Sequence, residues 1–209
     1  KRISLIRNKK EKVIQLEKVT TDFQRGLMRN VIKKHHSYVP TAEYPGRRID
    51  WLIYDVTDEE TWPFKRELLG MIGIGSSFYP PPKDILRYVG MSKDEYKDNF
   101  NQFANNWRFC FIKKVKNAGT QVLKQVRLQG PVEWKEKYGD DLKYIITLVA
   151  GGNNGAVYKA DNWLEIGKTA GLPKDRKTIS LKWDSQKKIN DRFIKPTGED
   201  RKTIFIKKV

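Results

Sequence analysis

The stretch from Tyr144 to Thr169 constrains what this chain can fold into more than any other. Tyr144-Ile-Ile-Thr-Leu-Val149 is an apolar, β-branched run, the pattern of a buried strand. Ala150-Gly151-Gly152-Asn153-Asn154 cannot extend it, because Gly and Asn tolerate positive φ and turn the chain sharply. Gly155 to Asp161 then suits one or two helical turns, and Trp163 to Thr169 a second strand with Leu164 and Ile166 on one face. Two strands held together by one short helix set Asn153, Asn154 and Tyr158 at a sheet edge, where a functional site fits.

The residues before this stretch read as alternating helices and strands. Thr21-Asp22 caps a helix running to about Lys34, with Phe23, Leu27 and Val31 on one face, Met28 and Ile32 beside them, and Arg25, Arg29 and Lys33 opposite. His35-His36 follow at the helix end. They suit either the helix dipole or a functional role, and with no carboxylate at useful spacing they are weak evidence for a metal. Ile49–Val56 and Glu67–Ser77 are strands of an antiparallel hairpin around a polar loop. Gly70, Gly73 and Gly75 inside the second strand suggest close approach of a backbone or ligand, and Ser76 at its end is placed to face a site. Pro80-Pro81-Pro82 blocks further pairing. Ser92 opens a helix to about Asn105 with Tyr96, Phe100 and Phe103 on one face.

Trp107–Ile112 is a third strand, followed by a basic, small-residue turn and a helix carrying Val122, Leu123 and Val126. That order is an anion-binding arrangement, since the N–H groups of a first helical turn have no intrahelical acceptor; a plain turn is the alternative. Gly130-Pro131 predicts a helix break, with Pro131–Tyr138 as a separate short helix. Thr178–Trp183 and Lys202–Val209 read as closing strands. There is no internal repeat or low-complexity linker, so one domain spanning 1–209 is expected, with a basic helical segment at 1–34.

Charge narrows the partners. Among 209 residues, 42 Lys and Arg against 25 acids leave a net charge of +17. Residues 1–34 hold eleven of the basic residues against three acids. A polyanion is the expected partner, nucleic acid before a membrane surface. Lys9, Lys10, Lys12, Arg25 and Arg29, with Lys187 and Lys188 near the other end, are the candidates for backbone phosphates. No apolar run approaches the ~20 residues that span a bilayer, and no signal peptide is visible. A single cysteine, Cys110, excludes an internal disulfide and reads as a small buried hydrophobe. A cytoplasmic location fits these features.

Two levels of resemblance follow. The strand, Asn-containing turn, Tyr-bearing helix and strand resemble acyltransferases of the GNAT superfamily. More narrowly, Gly155-Ala-Val-Tyr-Lys-Ala-Asp-Asn-Trp163, ending Gly167-Lys-Thr169, resembles the phage Mu Mom DNA-modification family and the DruA component of Druantia antiphage systems. Trp134 and Tyr138-Gly139 ahead of the central strand are also DruA-like.

The resemblance implies an α/β, GNAT-like fold: a mixed, mostly antiparallel central sheet with splayed parallel strands and flanking helices. Residues 78–105 would then be an insertion. It implies acetyl-CoA or a related acyl donor entering beside Phe111, Ile112 and Lys113, with its phosphates on Asn117, Ala118, Gly119, Thr120 and Gln121, a degraded form of the superfamily's loop. Tyr158 matches the superfamily's proton donor to the leaving thiolate. Mom-like proteins carry a His-Tyr pair that His36 and Tyr38 approximate. They often place an acid after the central strand, where this chain has Ala150-Gly151-Gly152; its task could move to Asp161 or Asp50.

By the same resemblance, the acceptor is the exocyclic amine of adenine in double-stranded DNA, modified to protect phage DNA from restriction, in the host cytoplasm if phage-encoded. Asn153, Asn154 and Trp163 would meet the DNA. Trp62, Phe78, Tyr79 and Trp163 are candidates to stack on a flipped base. Two other readings stay open: a DruA-like, nucleic-acid-binding defence component, and an N-acetyltransferase for protein or small-molecule amines. The oligomeric state is open, a homodimer among the options.

Overall fold

The computed structural model describes residues 12–36, 42–58, 65–150, 153–169 and 201–209. Among the described residues the sheet has seven strands. The chain divides into two compact units, Lys1–Ser76 with Asn106–Leu142, and Ser77–Asn105 with Lys143–Val209.

Unit 1 begins with β1 (Ile14–Lys18), where the sequence reading has only a basic helical segment. α1 (Asp22–His35) follows. A capping box starts it: Thr21 accepts from the Gln24 amide at 3.2 Å, and the Gln24 side chain accepts from the Thr21 amide at 3.0 Å. β1 pairs antiparallel with β2 (Arg48–Asp58), and β2 forms the expected hairpin with β3 (Lys65–Ser76). Alternation then sorts the side chains between two faces. Leu52 and Met71 meet Met28, Val31 and Ile32 of α1, together with Trp107 and Cys110. Phe23, expected on that apolar face, is instead 76% exposed, because the face that packs is centred on Met28 and Ile32.

Trp51 points to the other side. Its indole N–H donates to Glu133 of α4 (Ala118–Tyr138). α4 is one continuous helix, which corrects the predicted break at Gly130-Pro131. A buried Gly130 lies close to Ile74 and Trp51, and Trp134 is fully buried one turn on. Packing on both sides of Pro131 offsets the missing N–H and carries the helix through.

Unit 2 contains α2 (Lys83–Val89), α3 (Lys93–Asp98), a short 3-10 turn at Phe100–Gln102, β5 (Tyr144–Val149), α5 (Ala156–Ala160), β6 (Leu164–Lys168) and β7 (Thr203–Lys208). The predicted helix from Ser92 to Asn105 therefore ends early. Ser92 does cap α3, but Phe103–Asn105 already belong to β4 (Phe103–Phe111). The aromatic spacing that suggested one long helix serves a core instead. Tyr96 and Phe103 lie 4.6 Å apart between ring centres, and Phe103 stacks on Tyr144 at 5.1 Å. Ile85, Ile146, Ile204 and Ile206 complete that core. The Tyr96 hydroxyl, which would be costly to bury alone, lies 2.7 Å from the Ser77 hydroxyl.

β7 pairs antiparallel with both β5 and β6. β4 pairs parallel with β5 over only Phe103–Asn105, against Tyr144–Ile146. From Asn106 onward β4 lies in unit 1 beside β3, where the Ile112 amide donates to the Leu69 carbonyl at 2.7 Å and the Asn106 side chain to the Gly73 carbonyl at 2.8 Å. The mixed, mostly antiparallel sheet with flanking helices is as expected, and β4 and β5 are not paired along their length.

Candidate functional site

In unit 1, β4 ends at Phe111 and leads through Ile112 and Lys113 into the turn before α4. Phe111 is half-buried against Phe109, Ile112 is exposed, and Lys113 is ion-paired with Glu67 at 2.6 Å. Asn117 takes a left-handed conformation (φ 59°), which Asn adopts more readily than most residues, and it turns the chain into α4 without a side-chain cap. The Ala118 amide reaches the Val115 carbonyl at 3.4 Å, and Gln121 closes the first helical bond to Asn117 at 3.3 Å. Between them the amides of Gly119 and Thr120 sit in the first turn of a 21-residue helix, where no intrahelical carbonyl accepts from them. The Thr120 hydroxyl donates back to the Asn117 carbonyl at 3.0 Å. Lys114 and Lys116 are exposed beside this turn. Sequence reasoning placed the anion cradle on these residues, and the structure brings Asn117–Gln121 together at one helix start.

In unit 2, Gly155 (φ 66°) starts α5. A side chain there would collide with the Phe205 ring. The Asn154 side chain accepts from the Ala156 amide at 3.0 Å, and Asn153 and Asn154 are both exposed. Tyr158 is buried, edge-on to Trp163 at 5.1 Å and stacked over Phe205 at 5.8 Å. Its hydroxyl lies 3.5 Å from the Thr147 hydroxyl of β5, at the outer limit of a hydrogen bond.

Several assignments need correcting. Trp163 is only 4% exposed and donates its indole N–H to the Asp161 carboxylate at 2.9 Å, so it supports Tyr158 from within instead of standing on the surface. The same bond makes the buried Asp161 carboxylate the acceptor of that indole, while its backbone closes α5 as the C-cap. Ser76 is occupied by the hairpin: its hydroxyl accepts from the Arg47 amide at 2.9 Å and its amide donates to the Arg47 carbonyl at 2.8 Å. His36 caps α1, donating its amide to Ile32 at 3.0 Å. Burial, reinforced by Arg108, holds its imidazole down at about 4, which makes it a poor base at neutral pH.

Among the stacking candidates, Phe78 packs into the unit 2 core and Tyr79 is 48% exposed. Of the DNA contacts, Lys12 is ion-paired with Asp55, Arg25 pairs with Asp22 at 2.6 Å, and Arg29 is exposed. Tyr38, Trp62, Lys9, Lys10, Lys187, Lys188, Gly151-Gly152 and the strand at 178–183 lie outside the described residues.

A further cluster in unit 1 went unread except for Asp50. The Asp50 carboxyl is buried, accepting from the Trp107 indole at 3.0 Å and paired with Arg48 Nε at 2.6 Å. Burial outweighs these partners and pushes its pKa up to about 6. Gly73 leaves room for Asp50 and Trp107, since a Cβ there would strike both. The signal was present: a glycine directly opposite an acid across a hairpin.

Among the described residues no helix is long and apolar enough to cross a membrane. A search of curated proteins found no match. Two solved structures share the fold. NAA60 of Arabidopsis thaliana, in complex with acetyl-CoA, is 11% identical with a TM-score of 0.52, over 94% of this chain and 99% of that one. FeeM, an N-acyl amino acid synthase from uncultured soil microbes, is 11% identical with a TM-score of 0.50, over 95% and 92%. At this identity the likeness concerns architecture, which is GNAT-like. The family model for the Druantia protein DruA matches residues 2–199, and the chain belongs to the DruA family.

Proposed function

We propose that this protein binds an acyl-CoA thioester and transfers the acyl group to an amine of nucleic acid, the exocyclic amine of adenine in duplex DNA being the acceptor. The observation that carries the reading is the strand register. β4 pairs with β5 over Phe103–Asn105 alone, and within unit 1 it ends in a turn that presents the first helical amides of α4. The amides of Gly119 and Thr120 would donate to pyrophosphate oxygens, aided by the helix dipole and by Lys114 and Lys116. The thioester supplies an activated carbonyl, which an adenine amine needs because its lone pair is delocalised into the ring. Tyr158, its ring fixed by Trp163 and Phe205, is the proton donor in this reading. The net charge of +17 supports a nucleic-acid acceptor over a small amine.

A second reading has its own observation. Asp161 is tied to the Trp163 indole, and no acid follows β5 at Ala150-Gly151-Gly152. On that reading the chain is a nucleic-acid-binding component of Druantia that performs no transfer. Thermal stability in coenzyme A tests the cofactor half of the proposal. Wild-type protein should gain several degrees at saturating coenzyme A, and Gly119→Pro, which removes one cradle amide in the first helical turn, should lose most of that gain. No stabilisation of the wild type would contradict the proposal.

A further inference from the structure

Four elements of unit 1 send cations to one place. Lys18 from β1, Arg25 from α1, Arg48 from β2 and Lys137 from α4 line a cleft of about 180 Å³, with Asp50 and Tyr138 completing its wall. Three of the four have acidic neighbours: Glu133 at 3.0 Å from Lys18, Asp22 from Arg25 and Asp50 from Arg48, each at 2.6 Å. Lys137 donates to the Arg48 carbonyl at 2.9 Å, and the Tyr138 hydroxyl donates to that same carbonyl at 2.9 Å. These bonds hold the rim in place. With Lys18, Arg25 and Arg48 each offset by an acid, Lys137 leaves the cleft with an excess of positive charge that an entering anion would balance.

We propose that this cleft is a binding site for a phosphate ester, held by Lys18, Arg25 and Lys137 at the rim and by Arg48 at the floor. A phosphate offers more oxygen acceptors than a carboxylate, so it can serve several donors arriving from different elements. Asp50 does not oppose this role. Its carboxyl is 6% exposed and is bonded on one side by Arg48 and on the other by Trp107. It fixes the Arg48 guanidinium, whose carbon lies 5.1 Å from the Trp107 ring centre. The site is distinct from the turn before α4, because Lys137 and Tyr138 lie at the opposite end of that 21-residue helix. It deepens the nucleic-acid reading by naming where a phosphate is held, and it stands whether or not acyl transfer occurs.

The test is a titration of the full chain followed through the Arg48 Nε–H and Trp107 indole N–H resonances. The probes are inorganic phosphate, deoxyadenosine monophosphate, a short DNA duplex, and sodium acetate at matched ionic strength. Both resonances should move with the phosphate-bearing probes. Lys137→Gln and Arg25→Gln should each weaken binding about tenfold. Comparable affinity for the mononucleotide and the duplex identifies a free nucleotide as the source; a clear preference for the duplex identifies its backbone, and Lys137→Gln then lowers the salt slope by about one. Acetate shifts equal to those of phosphate, no shifts at all, or unchanged phosphate affinity in both variants would overturn the proposal. The two proposals fail separately. A chain that ignores coenzyme A but responds to phosphate contradicts only the acyl-transfer reading. A chain stabilised by coenzyme A whose two resonances stay still contradicts only the cleft.

Discussion

Asp50 and His36 carry opposite pH signatures. Asp50 sits at about 6 in the fold against an ordinary 3.8, so the native state binds the extra proton. Its contribution is greatest below pH 3.8 and is lost as pH rises through 6, by about 3 kcal/mol in all. His36 is held near 4 against an ordinary 6.5, so its contribution is present above pH 6.5 and is lost as pH falls toward 4. Between pH 4 and 6 the two offset each other. His36→Gln should therefore make the protein more stable at pH 5 than at pH 7, while Asp50→Asn should reverse that order. Urea midpoints at the two pH values check both, and an unchanged pH profile in either variant contradicts the assignment. Tyr158→Phe should cut turnover at least tenfold while leaving DNA affinity within twofold, because the ring keeps its Trp163 and Phe205 contacts and loses the hydroxyl that would supply the proton. Gly155→Ala combines a left-handed backbone with a collision against Phe205, and should cost about 3 kcal/mol in a denaturation experiment.

Elements with a strong local signal were legible from the chain alone. The β2–β3 hairpin, β5 and α1 follow from periodicity, and Thr21 caps α1 as its position suggests. Thr21→Ala should therefore cost about 1 kcal/mol, measured by thermal or chemical unfolding, and no change would mean the capping box contributes nothing. What local reading missed was decided by packing. α4 continues past Pro131 because Gly130 and Trp134 are held against the β2–β3 face. Phe100 and Phe103 have helical spacing with Tyr96, yet Phe103 opens β4 because its ring is needed on Tyr144. β1 alternates cleanly but is only five residues long and follows a lysine-rich stretch, so the strand signal was too short to stand out from the charge around it. At the site, the Asn117–Gln121 turn was readable because helix starts have a local signature. The inward turn of Trp163 and the capture of Asp161 were not, since both depend on how α5 and β6 pack around Tyr158.

For the whole molecule, the charge is the feature that survives every correction. A net +17 on 209 residues favours a polyanionic partner, although Lys12, Lys18, Arg25 and Lys113 are each balanced by a nearby acid. Affinity for duplex DNA should fall steeply with salt, by at least tenfold between about 50 and 200 mM, as expected when several phosphates are neutralised. A flat salt dependence would remove nucleic acid as the acceptor. The central claim is tested most directly by digesting DNA to nucleosides after incubation with the protein and acetyl-CoA, then weighing the products by mass spectrometry. A deoxyadenosine species heavier by one acetyl group is expected, absent without protein and strongly reduced with Tyr158→Phe. Unmodified deoxyadenosine throughout, from a protein that binds both DNA and coenzyme A, would contradict it.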